Sequence, residues 1–192
     1  MKSARLRFIL RSAIGAALIV TLPSAVTGQS TKSRQAIILA RALSYELTLE
    51  ERMGDAVAIA VVYRRDDVVS EANAEDWFQA LAQLSSFTIK DQPIFALKVA
   101  YDPSALHAAV EKGVDVLLVA DGLRAETALI AQLARARRIL TAGNAVEYVQ
   151  TDLTLCVAEE GDKTKVFINL NNARLERIQF SSRLLALATL FR

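Results

Sequence analysis

The feature that most constrains the fold is a series of short apolar runs that recur between helix-like segments. The first, residues 56–63, is continuous, rich in β-branched residues and uninterrupted by polar ones. Such a run is typical of a strand that is buried on both faces. Residues 94–99 and 114–119 are similar, mostly apolar runs, and residues 139–141 form a shorter one. We therefore expect a largely parallel sheet.

The segments between these runs carry apolar residues at helical spacing. They predict helices over residues 33–51, 70–84, 103–112 and 123–137. Pro103 stands at a first helical position and Gly113 just beyond a helix end, where each residue costs least. Strands that alternate with helices at this interval predict βαβ units with right-handed crossovers.

The pattern changes after Asn144. Strands are predicted over residues 153–160 and 164–170, and the Gly-containing link between them has the length of a hairpin. Residues from Ser181 onward predict an apolar closing helix, buried on its own sheet or against another chain. The fold class predicted is α/β, a single three-layer sandwich. Its sheet is mostly parallel, with a C-terminal antiparallel hairpin and helices on both faces.

The N-terminus has the layout of a secretory signal peptide. Basic residues, among them Arg5 and Arg7, precede an apolar run over residues 12–22, and Pro23 follows. Residues 1–28 are predicted to be the signal peptide, cleaved after Gly28, which leaves one domain over residues 29–192. The apolar run is shorter than the roughly 20 residues of a membrane-spanning helix, although retention as an anchor stays open.

The charge balance argues against nucleic-acid binding. The formal net charge of the whole chain is +2, from 23 basic and 21 acidic residues. Residues 1–28 contain four of the basic residues and no acidic one, so the remaining chain has 19 basic and 21 acidic residues. A nucleic-acid-binding domain needs a basic surface, which this balance does not provide.

Residue patterns for catalysis and metal binding are sparse. His107 is the only histidine, which excludes multi-histidine metal sites, and no Gly-x-Ser-x-Gly turn or glycine-rich phosphate loop occurs. Cys156, the only cysteine, cannot form an intramolecular disulfide and is predicted to be buried in a strand. We expect no catalytic residues, no metal and no cofactor.

One positional argument remains for a binding site. Ligands of open parallel sheets collect beyond the carboxyl ends of the strands. The residues that follow the predicted strands there, and that we expect to bind a ligand or partner, are Tyr63, Arg64, Tyr101, Asp121 and Asn144. Ordinary turn and cap roles are the alternative for these residues.

The C-terminal third resembles a known family. It consists of an asparagine-containing strand over residues 166–170, a short turn of helix and an aromatic residue within 171–180, and paired serines that open residues 181–188. This order resembles the C-terminal block of the YfiR-like family of bacterial periplasmic regulators. Similar stretches elsewhere, such as residues 41–46, extend the resemblance over about residues 34–190.

The resemblance implies a non-enzymatic periplasmic regulatory or sensory protein of a Gram-negative bacterium. Family members bind other proteins, and the best understood behaviour is repression of a membrane diguanylate cyclase. The expected partner is thus an inner-membrane signalling protein, either a diguanylate cyclase or a sensor kinase, with an outer-membrane lipoprotein as a possible second partner.

Three alternatives or additions stay open at this stage. The chain could be a small-ligand-binding protein of a transport or sensor-kinase system, since one lobe of a periplasmic binding protein has the same strand–helix order. An exported hydrolase would rest on His107 and scattered serines and acids. A homodimer is expected if the apolar residues 184–191 form an interface.

Overall fold

Strand β1, Val57–Tyr63, lies inside an eight-stranded sheet that organises the whole fold. The computed structural model describes residues 31–192, so the predicted signal peptide lies outside the described residues. The helices are α1 Thr31–Ser44, α2 Val68–Ala82, α3 Pro103–Glu111, α4 Thr127–Arg137, α5 Val146–Thr151, α6 Leu170–Glu176 and α7 Ser182–Leu185. The remaining strands are β2 Thr88–Ile89, β3 Gln92–Ala100, β4 Val116–Val119, β5 Leu140–Gly143, β6 Leu155–Glu160, β7 Lys163–Asn169 and β8 Thr189–Phe191.

The sheet order is β2-β3-β1-β4-β5-β6-β7-β8. Strands β3, β1, β4, β5 and β6 are parallel, and β7 returns antiparallel to β6 through a hairpin. Strand β8 runs parallel to β7, and β2 pairs antiparallel with β3. This confirms the predicted class, a mostly parallel α/β sheet with an antiparallel C-terminal hairpin.

Two hydrophobic cores explain why β1 is apolar at every position. Ile59 and Val61 pack with α1 and α2 on one face of the sheet, around the fully buried Trp77. Ala60 and Val62 pack on the other face against residues of α3, α4 and α5. A strand covered on both faces has no position at which a polar side chain could reach water, so the alternation of a half-buried strand is absent.

The order of the strands creates a topological switch point between β1 and β4. The chain leaves β1 for α2 on one face of the sheet and leaves β4 for α4 on the other face. The two connections therefore diverge at the carboxyl ends of neighbouring strands, where open α/β sheets form a crevice.

The prediction of a closing helix from Ser181 onward is wrong. Helix α7 covers four residues, with Ser181 as its N-cap, and the chain then enters β8, in which Leu190 is in register with Ile168 of β7. Phe191 stacks on Phe167 with ring centroids 6.3 Å apart. The apolar C-terminal residues thus satisfy an open sheet edge. The helix on which the expected homodimer interface rested does not form.

Other differences concern short elements and element ends. Helix α1 ends at Ser44, and a separate 3-10 turn covers Leu49–Glu51, where one long helix was predicted. Helix α4 begins at Thr127, after turn residues at 121–122 and 124–126. Cys156 is buried and free, as predicted, and burial raises the pKa of its thiol to about 12.

A buried carboxyl group ties α6 to the sheet. Glu176 is fully buried, its Oε1 accepts a hydrogen bond from the Thr141 hydroxyl, and its Oε2 accepts one from the Thr141 backbone N–H at 3.2 Å. Burial raises the pKa of Glu176 to about 7, although the hydrogen bonds from Thr141 and the nearby charge of Arg135 oppose this rise. At neutral pH this carboxyl therefore titrates inside the folded protein.

Replacing Glu176 should change the pH dependence of stability. In wild type the contribution of Glu176 to the free energy of unfolding should fall as pH rises from about 4.5 to 7, because the unfolded chain releases the proton more readily than the folded chain does. Glu176→Gln removes this term. Between pH 5 and pH 8 its stability should gain about 1–3 kcal/mol relative to wild type, measured by urea unfolding.

Exposed Glu147→Gln serves as the control for loss of a negative charge elsewhere on the surface. If wild type and Glu176→Gln show the same change in stability between the two pH values, the buried carboxyl does not titrate as described.

Candidate functional site

All five predicted site residues lie at the carboxyl edge of the sheet. Tyr63 ends β1 and Arg64 follows it, while Tyr101, Asp121 and Asn144 follow β3, β4 and β5 within two residues. These four strands are adjacent in the sheet, which brings the residues to one edge. The backbone N–H of Tyr101 donates to the Tyr63 carbonyl oxygen at 2.6 Å, so the pairing of β1 with β3 continues beyond β3.

Asp121 and Asn144 meet in a hydrogen-bonded cluster with Asn73 of α2. Asn73 donates its Nδ2 to Asp121 Oδ2 at 2.9 Å, and its Oδ1 accepts from the Asp121 backbone N–H at 3.3 Å. The Asn144 amide, oriented so that both of its polar atoms are bonded, donates to Asp121 Oδ1 at 3.2 Å. Both carboxylate oxygens of Asp121 are therefore occupied by side chains of its own chain.

Lys32 of α1 completes this cluster. Its Nζ donates to the Asn144 amide oxygen at 3.0 Å and lies 4.8 Å from the centroid of the Trp77 ring. Burial lowers the pKa of Lys32, while the charges of Asp121 and Asp76 raise it in opposition. The lysine places a half-buried positive charge beside the aspartate.

Arg64 bridges the switch point. Its Nη2 donates to both carboxylate oxygens of Glu126, at 2.7 and 2.6 Å, and its Nε donates to the Gly122 carbonyl oxygen at 2.9 Å. The Arg64 side chain is 40% exposed and that of Glu126 16% exposed. This contact links the loop after β1 to the start of α4 and fills the crevice between the two diverging connections. We call the residues Arg64, Glu126, Lys32, Asn73, Asp121 and Asn144 the sheet-end network.

Gly122 lets the loop after β4 approach α2 closely. Its φ is +88°, and a Cβ built at this position would lie 2.9 Å from Asp67 Oδ2 and 3.3 Å from Ser70 Cβ. Asp67 is the N-cap of α2, and its other carboxylate oxygen accepts from the backbone N–H groups of Val69 and Ser70. Both the backbone conformation and the space at this position require glycine.

The two tyrosines line separate depressions on either side of the network. Tyr63 lines one of about 510 Å³ with Val68 and Lys98, and Tyr101 lines an apolar groove of about 370 Å³ between α3 and α4. His107 lies in this groove, where its Nδ1 is 2.7 Å from the Pro103 carbonyl oxygen of its own helix. The structure thus joins Asp121 with Asn144, but it gives Tyr63 and Tyr101 different neighbours.

Exposed apolar side chains flank the network on both sides. Val68 and Val69, in the first turn of α2, are 81% and 67% exposed, and Leu129 of α4 is 58% exposed beside the groove. We call Tyr63, Arg64, Val68, Val69, Tyr101 and Leu129 the carboxyl-edge surface.

The carboxyl-edge surface combines a network of paired charges with exposed apolar side chains. Formal charges in the sheet-end network balance, with Lys32 and Arg64 against Asp121 and Glu126. Within residues 31–192, no group of three or more His, Cys, Asp or Glu side chains could hold a metal ion. Asp67 and Asp102 cap the N-termini of α2 and α3, so their own carboxylates occupy these potential anion sites.

The sequence did not reveal Lys32, Asn73 or Glu126. Lys32 and Asn73 lie on helices, Glu126 directly precedes one, and the partners of the three residues are between 48 and 112 positions away in the sequence. An acidic residue directly before a helix, as Glu126 is before α4, is the one local signal, and it is common to many helix starts.

A mostly parallel sheet of this order, with a crevice at its switch point, has a Rossmann-like α/β fold. Residues 68–189 match the model of the YfiR/HmsC-like family, which covers more than half of the chain. The protein belongs to the YfiR/HmsC-like family, and the resemblance seen in the sequence is confirmed. Membership supports a non-catalytic, periplasmic regulatory role in general terms.

Solved structures share the fold at low sequence identity. A conserved domain protein from Vibrio cholerae aligns with a TM-score of 0.63 and 16% identity, over 85% of this chain and 60% of that one. CD0873, a substrate binding protein with adhesive properties from Clostridium difficile, gives 0.57 and 14%, over 76% of this chain and 57% of its own.

A third match is a domain from Streptococcus pneumonia in complex with L-Trp, with a TM-score of 0.55 and 11% identity, over 78% of this chain and 60% of that one. The chain spans about three fifths of the length of these structures. No curated protein sequence matches it. Among the described residues, no helix is both long and apolar enough to cross a membrane.

Gly122→Ala should destabilise the protein by about 1–3 kcal/mol, because alanine meets both the positive φ and the Asp67 carboxylate. Urea unfolding measures this loss. Gly54→Ala is the matched control, since nothing lies within 4 Å of a Cβ there. A Gly122→Ala variant as stable as the Gly54→Ala variant would contradict the close approach of the β4 loop to α2.

Proposed function

We propose that the protein is a non-enzymatic periplasmic regulator that binds an inner-membrane signalling protein and holds it inactive. The partner is a diguanylate cyclase or a sensor kinase, and the protein binds it through the carboxyl-edge surface. Membership of the YfiR/HmsC-like family supports the regulatory role. The residues at the switch point support the placement of the partner-binding site on the carboxyl-edge surface.

The main support for this binding surface is that a fully hydrogen-bonded polar network lies beside exposed apolar side chains. Arg64, Asp121 and Asn144 already have partners within the chain, so the centre of the surface is held in place before anything binds. Val68 and Val69 beside it remain largely in water. Protein interfaces commonly combine a water-excluding apolar part with ordered polar groups, and preorganisation lowers the entropy cost of association.

We further propose that residues 1–28 are a cleaved leader and that residues 29–192 act in the periplasm of a Gram-negative bacterium. An outer-membrane lipoprotein would be a second partner that relieves the inhibition. Intact-mass measurement of the protein recovered from the periplasm should give a chain that starts at Gln29. A chain that retains residues 1–28 in the membrane fraction would show an anchor instead.

The double substitution Val68→Asp/Val69→Asp should release the partner. Two carboxylates in the apolar part of an interface would have to be desolvated on binding, and we expect at least a tenfold loss of partner recovery in native copurification. If the partner is a cyclase, cellular cyclic di-GMP should rise to the level of a deletion strain. Both positions are exposed, so the variant should fold like wild type.

Leu187→Asp is the matched control, because Leu187 is 83% exposed just before β8, the edge strand that lies three strands beyond β5. The control should leave partner recovery and cyclic di-GMP unchanged. If Leu187→Asp releases the partner while Val68→Asp/Val69→Asp does not, the carboxyl-edge surface is not the docking site.

A second candidate function is binding of a small ligand for a transport or sensor-kinase system. It is favoured by the fold shared with a substrate binding protein and with a domain in complex with L-Trp. A single lobe would need a second copy or a second chain to enclose a ligand. A saturable thermal shift with L-Trp that is lost in a Tyr63→Ala/Tyr101→Ala/Asp121→Ala variant would favour this function over protein binding.

A further inference from the structure

Three arginines surround a small cavity at the edge of the sheet opposite the carboxyl-edge surface. The cavity has a volume of about 80 Å³ and is lined by Thr48, Glu51, Arg52, Arg138 and Arg177. Arg52 lies just before β1, while Arg138 and Arg177 are the C-caps of α4 and α6. We call these five residues the arginine pocket.

Two of the arginines occupy backbone positions that disfavour them. Arg138 has φ +57° and Arg177 has φ +61°, in the left-handed region. Helix ends in this conformation usually carry Gly or Asn, because the Cβ of any other residue crowds the carbonyl oxygen. Both helix ends carry an arginine despite this crowding, and both arginines line the same cavity.

The third arginine is held in place by a buried acid. Arg52 Nη2 donates to Oε2 of the fully buried Glu46 at 2.7 Å, and the backbone N–H of Thr48 donates to Glu46 Oε1 at the same distance. The Arg52 side chain is only 15% exposed. Within the part of the chain that the structure describes, its Nε has no hydrogen-bond acceptor. The Arg52 guanidinium is thus held in place by Glu46, and its Nε–H remains available to donate a hydrogen bond.

The positive charge of the pocket is not fully compensated. Among residues 31–192, neither Arg138 nor Arg177 forms an ion pair within 4.0 Å, and the Glu51 carboxylate pairs with none of the three arginines. Three guanidinium groups therefore face two carboxylates, those of Glu46 and Glu51.

This arrangement suits an oxyanion of limited size. Guanidinium groups pair with phosphate oxygens through parallel, charge-assisted hydrogen bonds. A cavity of about 80 Å³ compares with roughly 30 Å³ for one water in the liquid, so it admits a phosphate group but not a nucleoside. We propose that the arginine pocket binds a phosphate group, either inorganic phosphate or the phosphate of a small phosphomonoester.

The proposal does not depend on the proposed function. The pocket lies at the amino end of the parallel strands, and the carboxyl-edge surface lies at the other end. Loss of partner binding in the valine variant and loss of anion binding in an arginine variant are therefore separate results.

Isothermal titration calorimetry at low ionic strength, in a phosphate-free buffer, tests the proposal with inorganic phosphate and with glycerol 3-phosphate. The variant Arg138→Gly/Arg177→Gly should bind at least about tenfold more weakly than wild type, since two charge-assisted contacts are lost. Its melting temperature should stay equal or rise, because glycine relieves the left-handed strain at both positions.

Lys90→Gly is the matched control. Lys90 is also basic and also left-handed, with φ +53°, but it does not line the pocket, so its removal should change the affinity less than twofold. Arg138→Asn/Arg177→Asn provides a second pair of substitutions that the left-handed region accepts. Similar affinities for both anions would identify the phosphate group itself as the ligand. Binding of only one anion would show whether the ligand is inorganic phosphate or a phosphomonoester. No binding of either anion, or equal affinity in wild type and both double variants, would overturn the proposal.

Discussion

The burial of β1 on both faces of the sheet is the constraint on which the rest of the structure depends. Its side chains fill two separate cores, one under α1 and α2 and one under α3, α4 and α5. The chain leaves β1 and β4 toward opposite faces and opposite sides of the sheet, which opens a crevice at their carboxyl ends. Arg64 closes that crevice through Glu126 and the Gly122 carbonyl oxygen, and this contact fixes the shape of the surface proposed to bind a partner.

The parts of the fold that the sequence predicted are those in which one local pattern has one meaning. Residues 56–63 are rich in β-branched residues, which favours a doubly buried strand, and the hairpin after β6 followed from a short Gly-containing link. The apolar residues 184–191 have no such single meaning, because a short apolar run suits both a buried helix and a strand at an open sheet edge. The unpaired edge of β7 decided the outcome, and that edge exists only in the folded protein.

The same limit applies to the candidate site. Strand order is enough to gather Tyr63, Tyr101, Asp121 and Asn144 at one edge, because parallel strands end on the same side. The partners that neutralise and position them, such as Asn73 and Lys32, come from helix faces whose rotation depends on packing around Trp77. The arginine pocket was equally out of reach, since Arg138 and Arg177 belong to helix ends that the sequence did not place together.

Site-specific photocrosslinking from position 68 in living cells, followed by mass spectrometry, tests the central claim most directly. A crosslinkable residue there should capture the periplasmic part of an inner-membrane diguanylate cyclase or sensor kinase, and the same residue at position 187 should not. Capture of that partner from position 187 alone, or of only a transport permease from position 68, would contradict a regulator that docks through the carboxyl-edge surface.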